Sequence, residues 1–286
     1  MKIDSHQHFW KYAASRDTWI TDDMKVIQRD FLPDDLKPLL DANNFDGCIA
    51  VQADQSEDET NFLLELAEQN DFIKGVVGWI DLRSENLGQR LDHYSQFEKL
   101  KGFRHIVQAE ADDFFLDRDF GRGIAQLDNY GFTYDILIKP RHLKATVEFV
   151  KQFPAQRFVI DHLAKPDIKN GRRGEWKNGE WKNAEWKDLM RDLGKCNNVY
   201  CKLSGLVTEA DWKKWNHDDF TQYVEVVLNS FGSERLMFGS DWPVCLVAAS
   251  YGQVCNVVKQ HIEHLTAFEK QMIWGRTAID FYNVKE

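Results

Sequence analysis

The chain has 286 residues, long enough for one large domain or two small ones, and its 43% hydrophobic and 29% charged residues exclude a disordered chain. Its 36 basic residues against 46 acidic ones leave a formal charge of −10. With no basic block, nucleic acid and anionic membrane surfaces are excluded as general partners. No stretch approaches the roughly 20 apolar residues of a bilayer span, and the start runs straight into a strand-like segment, unlike a signal peptide. Five scattered cysteines without a C-x-x-C pair fit reduced thiols, so a cytoplasmic protein is expected.

In chain order, apolar or β-branched runs predict strands over 2–7, 46–53, 73–82, 101–108, 132–138, 158–163, 199–204 and 235–240. Helical spacing fills the intervals. Leu32, Leu36, Leu39 and Leu40 share one face after the first strand; Phe62, Leu63, Leu66 and Ala67 do so after the second. HLKATVEFVKQFP and DFTQYVEVVLNSFG continue the pattern, the second stopping at Gly232. Eight strands each followed by a helical region argue for an α/β fold, a single-domain (β/α)8 TIM barrel over residues 1–286 with loop insertions at its C-terminal face. A doubly wound sheet is the competitor, but no G-x-G-x-x-G or P-loop follows any strand.

Such barrels carry their chemistry at the C-terminal ends of the strands, and polar residues gather there. KIDSHQHFW places His6 and His8 on one face of the first strand, since side chains alternate. That pair reads either as metal ligands or as a polar strand end. Trp79 and Asp81 end the third strand, Arg104 and His105 the fourth, Asp161 and His162 the sixth, Lys202 and Ser204 the seventh. Asp135 lies on the fifth, and FGSDWPV brings Asp241 after the eighth. Structural readings stand beside these: Asp81 as a helix cap, Asp135 and Asp161 facing helices or holding a neighbouring Arg or Lys, His105 as a hydrogen-bonded structural histidine, Trp79 as wall or core. Closure makes the first and eighth strands neighbours, so His6, His8, His162 and Asp241 form either a divalent metal site or a metal-free acid/base cluster.

The H-x-H of the first strand, DHLAKP after the sixth and FGSDWP after the eighth resemble the amidohydrolase superfamily, in its amidohydrolase-2 branch. VVGWIDL, KGFRHIVQ, YCKLSGL and LMFGSDWPV are similar to its sugar-lactonase group, the L-fuconolactonase and L-rhamnonolactonase type. The resemblance runs from Lys2 to about Tyr282. It implies one divalent metal, zinc foremost, on His6, His8, His162 and Asp241, with Asp241 also the proton-transfer residue; His162 and, from its place at the end of the fourth strand, His105 are expected beside it in the chemistry. It implies a mononuclear site, because FTYDILI lacks the extra lysine and histidine of two-metal members, and it leaves open a metal-independent lactone hydrolase, which the branch also contains.

The expected reaction is attack of water on the ring ester of an L-fucono-type lactone, with Asp241 as general base and then acid. Substrate contacts are expected from Arg104 and His105, with Trp79, Trp19 and Trp242 as walls, and from the loop after the first strand, which offers Trp10, Trp19 and Arg16. A lone strand-end arginine favours a neutral sugar over a dicarboxylate. The alternatives are a dicarboxylate or aromatic lactone hydrolase, a metal-dependent decarboxylase on the same barrel, and an inactive binding protein. The partner is a small-molecule sugar lactone, with a homodimer as the assembly considered. EWKNGEWKNAEWK (175–187) repeats with a period of five, readable as a surface duplication, an aromatic lid or an oligomer contact.

Overall fold

The structure, a computed structural model, describes residues 1–171, 176–177, 180–181 and 183–285. Eight parallel strands form one sheet: β1 Ile3–Gln7, β2 Gly47–Val51, β3 Ile73–Gly78, β4 Leu100–His105, β5 Thr133–Ile136, β6 Phe158–Ile160, β7 Val199–Leu203 and β8 Leu236–Phe238. Each pairs with the next in chain order. The ring closes through two backbone bonds, Asp241 N to His6 O at 2.8 Å and His8 N to Trp242 O at 2.7 Å. Helices α1 Pro33–Ala42, α2 Glu57–Gln69, α3 Leu87–Tyr94, α4 Arg118–Leu127, α5 Leu143–Val150, α6 Ala184–Gly194, α7 Thr221–Phe231 and α8 Tyr251–His261 follow strands β1 to β8 in turn. This is the (β/α)8 barrel expected from the alternation. As expected, α7 stops before Gly232, which takes φ +66°.

Strand alternation divides the core in two. Outward residues such as Phe103, Tyr134, Ile136, Phe158, Cys201, Leu203 and Phe238 pack under the helices. Inward residues Ile3, Ile49, Val51, Val77, Val159 and Met237 fill one end of the barrel. Ala278, Ile279, Phe281, Tyr282 and Val284, from the C-terminal helix Thr277–Phe281 and the residues after it, cover them there. Above this plug the inward positions turn polar: Arg104, Asp135, Asp161 and Lys202 are all buried.

The strands are shorter than the sequence predicts, chiefly at their C-terminal ends, because the reactive residues sit just past the last ladder bond. His8, His162 and Asp241 all lie outside the strands. In the 175–187 repeat, Trp176–Lys177 pairs antiparallel with Glu180–Trp181. Trp186 is buried at the start of α6 and donates to Leu163 O at 2.8 Å. The lid and oligomer readings of Trp176 and Trp181 rest on side chains outside those described.

Candidate active site

Ile3 and His6 both face the barrel interior although they are three residues apart, which regular alternation forbids. An irregularity in the β1–β2 register between Asp4 and Gln7 supplies the missing phase shift. Asp4, turned outward and fully buried, fixes the result: its carboxylate accepts from His6 N at 3.2 Å, Ser240 N at 2.9 Å and Tyr251 Oη at 3.0 Å. One side chain thereby ties the H-x-H backbone to the residue before Asp241. Gly239 permits the approach, since a Cβ there would come within 2.6 Å of the His6 Cβ.

After β6 the backbone does something unusual for L-residues. His162, Leu163, Ala164 and Lys165 all take φ between +51° and +57°, a left-handed turn closed by Lys165 N to His162 O at 2.7 Å. Each such residue costs about 1–2 kcal/mol, so the surroundings must hold it. Trp186 does so at Leu163 O, and the Ser204 hydroxyl does so at His162 Nδ1, 2.8 Å away. Asp241 is also left-handed, at φ +57°. Strain concentrated at these positions is the pattern of a working site.

The expected cluster assembles. His6 Nε2 and His8 Nε2 are 3.2 Å apart; Asp241 Oδ1 lies 3.9 Å from the first, 3.5 Å from the second and 3.7 Å from His162 Nε2. Burial pushes the imidazoles of His6 and His162 well below their usual pKa and lowers that of His8, so all three are neutral at pH 7. Two neutral ring nitrogens facing each other at 3.2 Å need a shared proton or a cation between them. The outer nitrogens are engaged: His8 Nδ1 with Val51 O at 2.7 Å, His162 with Ser204, His6 Nδ1 with Asp161 at 3.2 Å. That arrangement turns the inner nitrogens toward one another and toward Asp241, where they can ligate, although that of His6 also meets Arg104 at 3.3 Å. The donor spacings are near those of a tetrahedral ion with bonds of about 2.0–2.2 Å, so His6, His8 and Asp241 fit a divalent metal, with His162 at its side.

Behind His6 lies a buried charge network. Lys202 Nζ is 2.5 Å from Asp135, 3.0 Å from Asp161 and 3.1 Å from His6 Nδ1; Arg104 reaches Asp161 at 3.0 Å and His6 Nε2 at 3.3 Å. Burial alone would raise Asp161, yet Lys202, His6 and Arg104 hold it well below the usual carboxylate range. Burial wins at Asp135, pushed up to about 6 against the pull of Lys202. Of the readings open for these two aspartates, holding a neighbouring Lys or Arg is the one found.

A family model described as Amidohydrolase matches residues 3–284. The chain belongs to the amidohydrolase family. An L-fucono-1,5-lactonase of Burkholderia multivorans is 43% identical across 100% of this chain and 97% of the relative, and one of Burkholderia ambifaria is 36% identical across 88% and 83%. The crystal structure of an amidohydrolase of Burkholderia multivorans with bound zinc, also 43% identical, superposes with a TM-score of 0.93 over 100% of both chains. A probable 2-pyrone-4,6-dicarboxylic acid hydrolase of Acinetobacter baumannii, 15% identical over 99% of both chains, shares the fold with a TM-score of 0.79.

In this amidohydrolase a cavity of about 330 Å³ opens beside the cluster, lined by His8, Arg104, His162 and Asp241. Trp19 and Met24, from the loop after β1, complete one wall. Three expected substrate contacts do not line it. His105 follows inward-facing Arg104, so alternation turns it outward: it stacks on Phe114 with centroids 5.0 Å apart and meets Glu110 at 2.9 Å. Trp79 donates its Nε1 to His105 Nδ1 at 3.2 Å, and Trp242 is buried against Phe9 and Phe31. Of the loop's other candidates, Trp10 is buried and Arg16 turns back onto Asp17 at 2.8 Å. Asp81 caps a turn at Arg83 N rather than α3, whose N-cap is Asn86. The sequence reading missed Gln108, Lys165, Thr208, Glu209 and Trp212, all on the cavity wall. Lys165 had a visible signal, three residues after His162 in DHLAKP; the others sit in loops without one.

Proposed function

We propose that this amidohydrolase opens the ring ester of a neutral sugar-acid lactone, of the L-fucono-1,5-lactone type. The observation that carries this is a neutral imidazole cluster and Asp241 converging on the wall of a cavity sized for one small ring. Full-length similarity to curated L-fucono-1,5-lactonases supports the substrate. Among the described residues on the lining, Arg104 is answered by buried Asp161 and Lys165 by Glu209, which supports a neutral ligand over a dicarboxylate.

Asp241 takes a proton from the water as its oxygen bonds to the carbonyl carbon, and returns it to the ring oxygen as the C–O bond breaks. The open-chain hydroxy acid then ionises, releasing one proton to solvent. Arg104 lines the same wall and stabilises charge developing on the carbonyl oxygen, one well-placed donor being worth about 3 kcal/mol, while His162 stands beside Asp241. A divalent metal held by His6, His8 and Asp241, zinc foremost, supplies Lewis-acid polarisation of that carbonyl when bound. Five free cysteines, four of them buried, support a reducing, cytoplasmic setting. No described helix is long and apolar enough to cross a membrane.

The test is acid release from a panel of L-fucono-, L-galactono-, L-rhamnono- and D-arabinono-lactones, with and without a chelator. The expected result is fastest turnover of the L-fucono lactone, lost with chelator and restored by zinc. No hydrolysis above the spontaneous rate on any member overturns the reading.

A further inference from the structure

The cavity wall carries further polar side chains besides those of the cluster. Lys165 Nζ and Glu209 Oε1 face each other at 3.5 Å, both on the lining. That separation exceeds a direct N–H···O bond of about 2.7–3.2 Å, so the ammonium and the carboxylate both keep hydrogen-bonding capacity. Gln108 lines the same space, and its Oε1 is buried with no donor among the described residues. Trp212 adds a flat apolar surface alongside.

The chemistry of these groups selects a ligand. Lys165 needs an acceptor, whereas Glu209 and Gln108 Oε1 need donors. A hydroxyl is both, and two adjacent hydroxyls span an ammonium and a carboxylate together. A carboxylate ligand satisfies Lys165 alone and is repelled by Glu209 and by the Gln108 oxygen. The supports are stiff: Lys165 ends the left-handed turn that begins at His162, and Glu209 is fixed by its N–H on Gly205 O at 3.3 Å and by its carbonyl, which accepts from Lys169 N at 3.0 Å.

Resting on the lactone reading above, we infer that Lys165, Glu209 and Gln108 form a subsite for vicinal ring hydroxyls, and that this subsite selects neutral polyhydroxy lactones over dicarboxylates. It contacts hydroxyls rather than the ester, so its binding energy depends on groups the reaction does not touch.

The experiment compares kcat/KM of the wild type, Glu209→Gln and Lys165→Met on L-fucono-1,5-lactone and on δ-valerolactone, which has the ring ester and no hydroxyl. Each variant is expected to lose about 10- to 100-fold more on the hydroxylated lactone than on the bare one, the range of a lost hydrogen bond to a charged group. Equal losses on the two substrates, or no loss on either, overturn the subsite. If the wild type hydrolyses neither lactone, the lactonase reading fails, and the subsite is then judged by calorimetric titration with L-fucose. Weaker L-fucose binding by both variants upholds it; unchanged binding, or no binding to the wild type, overturns it.

Discussion

Lys202 is the residue whose removal the structure prices most directly. Its ammonium is fully buried between Asp135 and Asp161 and against His6. Replacing it by Met keeps the volume and removes the charge. Asp161 retains Arg104 at 3.0 Å, but among the described residues Asp135 keeps the Tyr282 hydroxyl at 2.8 Å and no cation. Breaking a buried ion pair from one side costs about 3–5 kcal/mol. With an unfolding entropy of about 2.1 cal/mol/K per residue, that lowers Tm by roughly 5–8 °C for a chain of this length.

The pH dependence has a definite sign. Asp135 already stands at about 6 because burial outweighs Lys202, and losing Lys202 moves it higher. A carboxyl raised in the folded state binds its proton more readily there than when unfolded, so its destabilising effect grows as pH rises through the folded pKa. The Lys202→Met deficit should therefore be larger at pH 8 than at pH 5.5. Adding Asp135→Asn, which still accepts from Tyr282, should recover part of it. Calorimetric melting of the wild type, the single and the double variant at both pH values tests this. A single variant as stable as the wild type, or a double variant melting below the single, refutes the account of the network.

Asp241→Asn should cut kcat on the preferred lactone by about 10²–10⁴-fold while leaving Tm nearly unchanged, since Asn tolerates the left-handed backbone there; near-normal turnover removes Asp241 from the proton-transfer role. Glu59 presents the same linkage with no ion pair among the described residues: burial pushes it up to about 7 from 4.5, against a backbone bond from Ala53 N at 3.1 Å and the charge of Arg16. Its folded pKa is raised, so stability present at pH 4.5 is lost as pH climbs through 7, by up to about 3 kcal/mol. Glu59→Gln should raise Tm at pH 8 and leave it unchanged at pH 4.5; an equal effect at both dismisses the linkage.

The barrel and the cluster were legible because each has a local signature. Strand and helix periods announce themselves in windows of ten residues, and His6, His8, His162 and Asp241 stand at strand ends where polarity is conspicuous. Closure did the rest, since the bond from Asp241 N to His6 O is what a ring of eight strands requires of its first and last members. His105 shows where that logic fails. It shares the strand end with Arg104, but adjacent residues on a strand face opposite sides, and Phe103 already packs outward under the helices. Phe103 out sets Arg104 in and His105 out, so the phase of β4 was readable; polarity was weighed and phase was not.

The same phase argument recovers the charge network. In β7, VYCKL, with Cys201 and Leu203 outward, Lys202 must point in; in β5, TYDI, with Tyr134 and Ile136 outward, so must Asp135. A barrel interior that receives one lysine and two aspartates has to pair them, because an unmatched charge there costs several kcal/mol. The pairing follows from sequence once the strands are phased. The placement of Lys165 opposite Glu209 does not follow, although DHLAKP marks Lys165 itself. Lys165 depends on four consecutive left-handed residues, a backbone that no propensity favours and that Trp186, Ser204 and the approach of Gly205 hold in place: a Cβ at Gly205 would come within 2.7 Å of the His162 ring. Local rules find the ligands of the ester, while long-range contacts fix the groups facing the rest of the ring, so substrate choice is the part of this site that a single sequence conceals.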